Sequence, residues 1–513
     1  MEAKKEKNFK AWELGIPFFV SLLCLSFSSY WFGSSAGEGP YQLSLLLGTL
    51  VVILVGTRKG IQWNDVKIAI KDNIKPIIPT LIFLVLIGAI SVVWLISGII
   101  PSAIYYGLYL LKPAIFLPAV ALFAGLMALA CGSSWLTVGT IGVAFLGIGN
   151  VLGFPLPLVA GAIISGAYFG DKLTPLSETT VLASSMTKTP LLTHVRYMLW
   201  TSIPAFLISL ALFSLFGLWY SQSLADSTSY IDKQDVMQLL DKKMFTINAL
   251  FLLIPVGVIV ATMLGYCPLR ILFGGIIVGA LMAWYFQFEF LDRLGYLDNK
   301  GPRDICLSNS QYLQVILKKI CIGMELEDEE NEVIKSLFSN GGIWGMWPTI
   351  TIIIFSVIFC GVLEGTGLLQ GLMDRVMDTS SRGKLMALTI GIAIFFNITV
   401  ADQYLAIILT CKMFDKLFQK QGLSSENLSR TVEDAATVTS PLVPWNTCGA
   451  AQARVLGIST LAYAPFCFFN ILSPIISIIV GIWGFKIAYT TIAKEDSKKK
   501  KHTKKKFVRI KLP

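Results

Sequence analysis

Along the chain, apolar runs of bilayer length alternate with short polar stretches. A helix needs about 20 apolar residues to cross a bilayer. The pattern predicts spans at 16–32, 42–57, 76–97, 113–130, 197–220, 245–264, 269–286 and 343–363, further apolar runs at 155–169 and 385–396, and the closing span or spans within 461–489. Residues 102–111 are apolar but too short to cross alone. Residues 58–75 are basic, with Lys67, Lys71 and Lys75 at helical spacing, and read as an interfacial helix or a loop.

Other apolar runs are interrupted. Residues 131–150 are rich in Gly, Ser and Thr and read as two short helices joined by an unwound tip. Residues 397–411 carry Asp402 within an apolar run. Each broken run is followed by a polar core: 170–189, GDKLTPLSETTVLASSMTKT, and 433–450, EDAATVTSPLVPWNTCGA. Paired interruptions at corresponding places point to a transporter with internal repeats and a substrate site where they meet. The fold class is therefore an all-α polytopic membrane protein with ten to twelve crossings. Its divisions read as an N-terminus (1–15), a first transmembrane repeat (16–220), a loop (221–245) and connecting helices (246–288). An extramembrane polar insert (289–342), a second repeat (343–492) and a basic tail (493–513) follow.

Composition narrows the class. The 513 residues are 54% hydrophobic and 14% charged, against about 25% charged in soluble domains. The excess of positive charge, +10, concentrates before the first span, in 58–75 and in the tail. By the positive-inside rule both termini are cytoplasmic, in the inner membrane. The Lys-rich tail reads as a solvated extension that touches anionic lipid; nucleic acid is not an expected partner. Nine cysteines occur singly, without a CxxC pair, and two histidines exclude a His-rich metal site. The chain has no HExxH or P-loop motif, so neither an enzyme nor a cofactor is expected.

The polar cores offer the oxygen ligands that would replace the water of a sodium ion. These are Asp171, Ser177, Glu178 and Thr179, then Asp402, then Asp434, Thr437, Thr439, Ser440, Asn446 and Thr447, with Glu433 a further carboxylate. Pro175, Pro441 and Pro444 interrupt helical bonding and free carbonyls. Charges at membrane depth are costly and mark function. A carboxylate there can hold either a cation or a proton, which is the simplest route to exchange. Plainer readings exist for several groups. Lys172 could neutralise Asp171, Glu433 and Asp434 could cap an exposed turn, and Glu364 could sit at the interface. Arg430 and His194 read as interfacial, and Ser133, Ser134 and Thr137 as small packing residues.

Three segments, GAYFGDKLTPLSETTVLASS, VADQYLAIILTCKMF and VEDAATVTSPLVPWNTCGA, resemble the signature of NhaC-type sodium/proton antiporters, in order and with suitable separations. The resemblance carries over at Gly170, Asp171, Lys172, Pro175 and Ser177; at Asp402, Gln403 and Tyr404; and at Glu433, Asp434, Thr439, Ser440, Pro441, Pro444, Trp445, Asn446 and Thr447. Position 178 holds Glu where Asp is common. The resemblance implies the ion-transporter superfamily fold: two inverted repeats with re-entrant hairpins and broken helices, a scaffold plus a transport domain, and a homodimer. It implies exchange of sodium for protons. The alternative it leaves is a sodium- or proton-coupled exchanger of organic acids of the malate/lactate type, or of amino acids.

Overall fold

The computed structural model describes residues 9–225, 245–299, 308–324, 340–373 and 381–489. Most of the 221–245 loop, the acidic cluster at 325–330 and the basic tail lie outside the described residues, as do the lysines at 4, 5 and 7.

Three helices come first: α1 (Ala11–Phe32), α2 (Pro40–Thr57) and the amphipathic α3 (Trp63–Ile74). Then follow α4 (Ile78–Ile96), α5 (Ile99–Leu110), α6 (Pro113–Cys131), α7 (Ser134–Val151), α8 (Leu156–Lys172), α9 (Glu178–Met186) and α10 (Leu191–Ala225). Next are α11 (Leu253–Met263), α12 (Pro268–Phe286), α13 (Phe288–Asn299) and α14 (Asn309–Ile322). The chain continues with α15 (Trp347–Thr366), α16 (Leu368–Met373), α17 (Arg382–Thr399), α18 (Gln403–Lys420) and α19 (Ser425–Val432). It closes with α20 (Thr447–Leu456), α21 (Thr460–Phe466) and α22 (Phe468–Trp483).

Among the described residues there are no strands beyond two isolated bridges. Nine helices among these residues are long and apolar enough to cross a membrane, or ten if the bent α21–α22 pair is one span. Large apolar side chains such as Phe19, Leu54, Phe123, Leu207, Leu215, Phe273 and Leu281 stand exposed, while Asp171, Lys172, Arg430, Glu433 and Asp434 are buried. Polar inside and apolar outside is the arrangement that lipid requires, because hydrocarbon cannot solvate a charge.

The two halves share a backbone register. Helices begin at 78 and 347, 99 and 368, 113 and 382, 134 and 403, 156 and 425, 178 and 447, and 191 and 460, each pair 269 positions apart. Left-handed residues recur at the same interval: Gly98 and Gly367, Gly132 and Ala401, Gly153 and Gly422, Lys188 and Gly457. So do Pro175 and Pro444. Contacts between the halves are made twice. Gly161 meets Phe466, and their equivalents Arg430 and Tyr197 meet by a cation–π contact of 4.7 Å. α4 packs on α12 and the amphipathic α14; its equivalent α15 packs on α2 and the amphipathic α3. The chain is thus two copies of one plan, crossing reciprocally.

Three details differ from expectation. The break expected inside 131–150 lies at its start, at Gly132–Ser133. Beyond it the helix runs on to Val151, accommodated by a π turn at Val138–Gly142. Arg430, expected to be interfacial, is fully enclosed, and α19 is buried from Asn427 onward. His194 is likewise fully enclosed rather than interfacial.

Candidate functional site

Each repeat contributes two breaks. In the first kind, a left-handed residue ends one helix and the next residue caps the following one. Gly132 precedes Ser133, whose Oγ accepts from Leu136 N–H at 3.2 Å; Ala401 precedes Asp402, whose Oδ1 accepts from Leu405 N–H at 3.0 Å. In the second kind a proline-bearing stretch separates α8 from α9 and α19 from α20, with Ser177 and Asn446 at equivalent N-cap positions. Before the second of these breaks, α19 widens into a π turn at Glu433–Thr437, then a 3-10 turn at Ser440–Leu442. The extra residue of the π turn loosens local bonding where the carboxylates sit.

The two polar cores meet through Lys172 and Asp434. Lys172 Nζ, from the end of α8, is ion-paired with Asp434 Oδ1, and both side chains have no solvent exposure. Thr201 Oγ1 of α10 and Ser473 Oγ of α22 donate to the same oxygen at 3.0 and 3.2 Å. Lys172 therefore does not neutralise its neighbour Asp171. The Asp171 carboxylate instead accepts from Ser134 Oγ at 2.7 Å through Oδ2. This contact has its repeat equivalent in Ser440 Oγ donating to Gln403 at 3.3 Å.

Several buried oxygens have no partner: Asp171 Oδ1, both oxygens of Glu433, Asp434 Oδ2 and Thr437 Oγ1. Glu433 is fully buried, not the cap of an exposed turn. An unsatisfied buried carboxylate costs several kcal/mol, on the order of the desolvation of an ion. Native structures rarely leave such groups alone.

The remaining sequence-picked residues form a second, satisfied network. Asp402 Oδ2 accepts from Thr447 Oγ1 at 3.2 Å, and Asn446 Oδ1 caps α20 through Cys448 N–H at 3.0 Å. Asn446 Nδ2 donates to Asn397 O at 3.0 Å, and Asn397 Nδ2 donates to Thr439 Oγ1 at 3.0 Å. Ser177 and Thr179 hydroxyls bond each other at 3.0 Å. Glu178 is exposed and accepts from Tyr404 Oη at 3.0 Å across the repeats. Glu364 accepts from Asn73 and is exposed, as an interfacial residue would be.

Ser134, Thr201, Ser473 and Asn397 were not among the sequence-picked ligands. Thr201 and Ser473 lie in apolar runs, where nothing local distinguishes them from packing hydroxyls. Beside Asp434, Arg430 stacks on Tyr197 with none of its nitrogens hydrogen-bonded, and His194 shares a hydrogen bond of 2.9 Å with Ser429. A separate cleft of about 990 Å³ reaches Pro444 and Ala450 past Tyr41, Ser91, Asn150 and Arg454.

An all-helical membrane protein whose two repeats cross at enclosed, partly unpaired charges is of the class that carries ions or polar solutes across a bilayer. Comparison with known proteins agrees: a model of the "Na+/H+ antiporter family" matches residues 166–297 and 311–485. The chain belongs to that family. It is 34% identical to the Na(+)/H(+) antiporter NhaC of Alkalihalophilus pseudofirmus, over 87% of this chain and 91% of that protein. It is 35% identical to the malate-2H(+)/Na(+)-lactate antiporter of Bacillus subtilis, over 88% and 91%. The arginine/ornithine antiporter ArcD of Halobacterium salinarum is 33% identical, over 83% of each chain. The protein is accordingly a multi-pass membrane transporter.

Proposed function

We propose that the protein is a secondary active antiporter that exchanges sodium for protons, with the site where the two polar cores meet. The observation that carries this reading is the set of unpartnered oxygens of Asp171, Glu433, Asp434 and Thr437 beside the Lys172–Asp434 pair. Oxygen atoms enclosed without donors suit a desolvated cation or a proton and give an anion nothing to bind. In this reading the repeats lie inverted in the inner membrane with both termini cytoplasmic. A transport domain containing the four breaks moves against a scaffold, and two copies associate.

A second reading has support from two observations. Relatives named for organic acids and for amino acids are as similar as those named for sodium and protons. Lys172 and Arg430 also place cationic groups on the Asp434 side. The experiment that separates them is exchange in proteoliposomes with an enclosed pH dye. Sodium, lithium and potassium chlorides, malate, lactate, arginine and ornithine are added in turn. Sodium alone should move protons. Proton movement that requires an organic solute would replace the first reading by the second.

A further inference from the structure

The charged groups at the crossing gather at the π turn at Glu433–Thr437. Lys172, Thr201 and Ser473 serve Asp434 Oδ1, and Arg430 and His194 are enclosed. Glu433, the preceding residue, is fully buried. The groups that act on Glu433 are Lys172 first, then Thr179, Thr437 and Asp171. Glu433 Oε1, Glu433 Oε2, Asp171 Oδ1 and Thr437 Oγ1 make no hydrogen bond of ordinary length, and neither does the second oxygen of Asp434. Asp171 Oδ2 is held by Ser134, which fixes the carboxylate so that its other oxygen is the free one.

We propose that Asp171, Glu433 and Thr437, with Thr179 beside them, form the site for a small monovalent cation, and that Asp434 is not a ligand but the counter-ion of Lys172. This rests on the sodium/proton reading and specifies where in the crossing the ion sits. Three carboxylate oxygens and a hydroxyl oxygen are unpartnered there and fully enclosed. Calcium takes about six to eight oxygens, and magnesium retains several of its waters, so a dry cage with this few ligands fits sodium or lithium better. The Lys172–Asp434 pair makes the neighbouring position electrically neutral. It thereby keeps the ammonium off Glu433, which is within its electrostatic reach.

The test is cation binding by the purified full-length protein, read as the rise of the thermal midpoint by tryptophan fluorescence. Sodium, lithium, potassium, calcium or magnesium chloride replaces choline chloride at constant ionic strength, at about pH 8, above the ordinary carboxylate range. A ligand that binds only the folded state raises the midpoint saturably. Sodium and lithium should do so in the unaltered protein. Glu433→Gln and Asp171→Asn should each need at least about tenfold more sodium, the scale of loss when a metal site is disturbed. Thr437→Val should need a few-fold more, and Glu364→Gln, at an exposed carboxylate, the same amount as the unaltered protein. Asp434→Asn frees Lys172 to compete at Glu433 and should weaken sodium; adding Lys172→Met should restore it. If Asp434 were a ligand, the double variant would stay weak, and the assignment would be overturned. It would also be overturned if Glu433→Gln kept the full response. Should Glu433→Gln prove aggregated on size exclusion, Thr437→Val and the Asp434/Lys172 pair decide the matter by the same readout. No midpoint shift with sodium in the unaltered protein would overturn the sodium reading itself, whereas a shift indifferent to all these substitutions would overturn only this location.

Discussion

Asp434 keeps its charge inside the protein because Lys172, Thr201 and Ser473 all serve one of its oxygens. Removing one member of an enclosed pair leaves the other uncompensated, at a cost of about 3–5 kcal/mol, while removing both is often close to neutral. Lys172→Met should therefore lower the thermal midpoint more than the double variant Lys172→Met/Asp434→Asn does. Equal losses in both would mean that the pair does not act as a unit. Asp402 presents the opposite case, since both of its oxygens are engaged by Leu405 N–H and Thr447. Asn caps a helix about as well as Asp, whereas Ala costs about 0.5–2 kcal/mol. Asp402→Asn should thus keep stability and most exchange, and Asp402→Ala should lose stability. Abolished exchange in a well-folded Asp402→Asn protein would instead return Asp402 to the ion's path.

The helices are set by their breaks and by one close approach. A Cβ on Gly166 or Gly170 would lie 2.1 or 2.0 Å from a backbone oxygen of α6, so α8 reaches its neighbour only because these positions lack a side chain. That contact holds Asp171 against Ser134 across the Gly132 break. The two left-handed residues at the matched breaks differ in what they tolerate. Ala401 holds φ +61° with a side chain, a conformation costing a non-glycine residue about 1–2 kcal/mol. Gly132 does so without one, and a Cβ there would stand 2.6 Å from Leu176. Ala401→Gly should be neutral or stabilising, and Gly132→Ala should destabilise by about 1–3 kcal/mol through overpacking. Thermal midpoints of the two variants would decide; a harmless Gly132→Ala would mean the tip is loosely packed.

The whole molecule repeats one backbone plan and opens a cleft against one set of equivalent positions. The cleft of about 990 Å³ is lined by Ser91, Val143, Gly147 and Ala450 among others. Their equivalents 269 positions away, or back, are Cys360, Lys412, Lys416 and Val181; Cys360 is buried and the other three are exposed. Two copies of one plan can exchange conformations at little energetic difference, which is the basis of alternating access in repeat transporters. Opening on the second side should make Cys360 line a cleft as Ser91 lines the first. With the other eight of the nine cysteines replaced, maleimide should label Cys360 slowly, and sodium should change that rate. A rate indifferent to sodium and to pH would show that the second side does not open by the same movement.

The sequence alone determined what depends on neighbours along the chain. Apolar runs, their interruptions and the prolines at 175, 441 and 444 placed the helices and breaks, because helix formation and membrane solvation are local. The motif residues marked which breaks carry charge. Only the folded chain decided which charges meet. Lys172 finds Asp434 at a separation of 262 residues and leaves its neighbour Asp171 to Ser134. Arg430 and His194, beside polar residues in sequence, are enclosed because α19 and α10 pack face to face. The repeat register was hidden for a related reason. What recurs is backbone geometry, such as the left-handed residues and the cap positions. The chemistry at equivalent places has diverged, so that Asp171 and Lys172 correspond to Ser440 and Pro441, and Glu433 and Asp434 to Ile164 and Ser165. A tertiary contact can preserve a shape with many residue types, so shape outlasts identity. The charges, needed once at a single crossing, stand on different turns of the two copies.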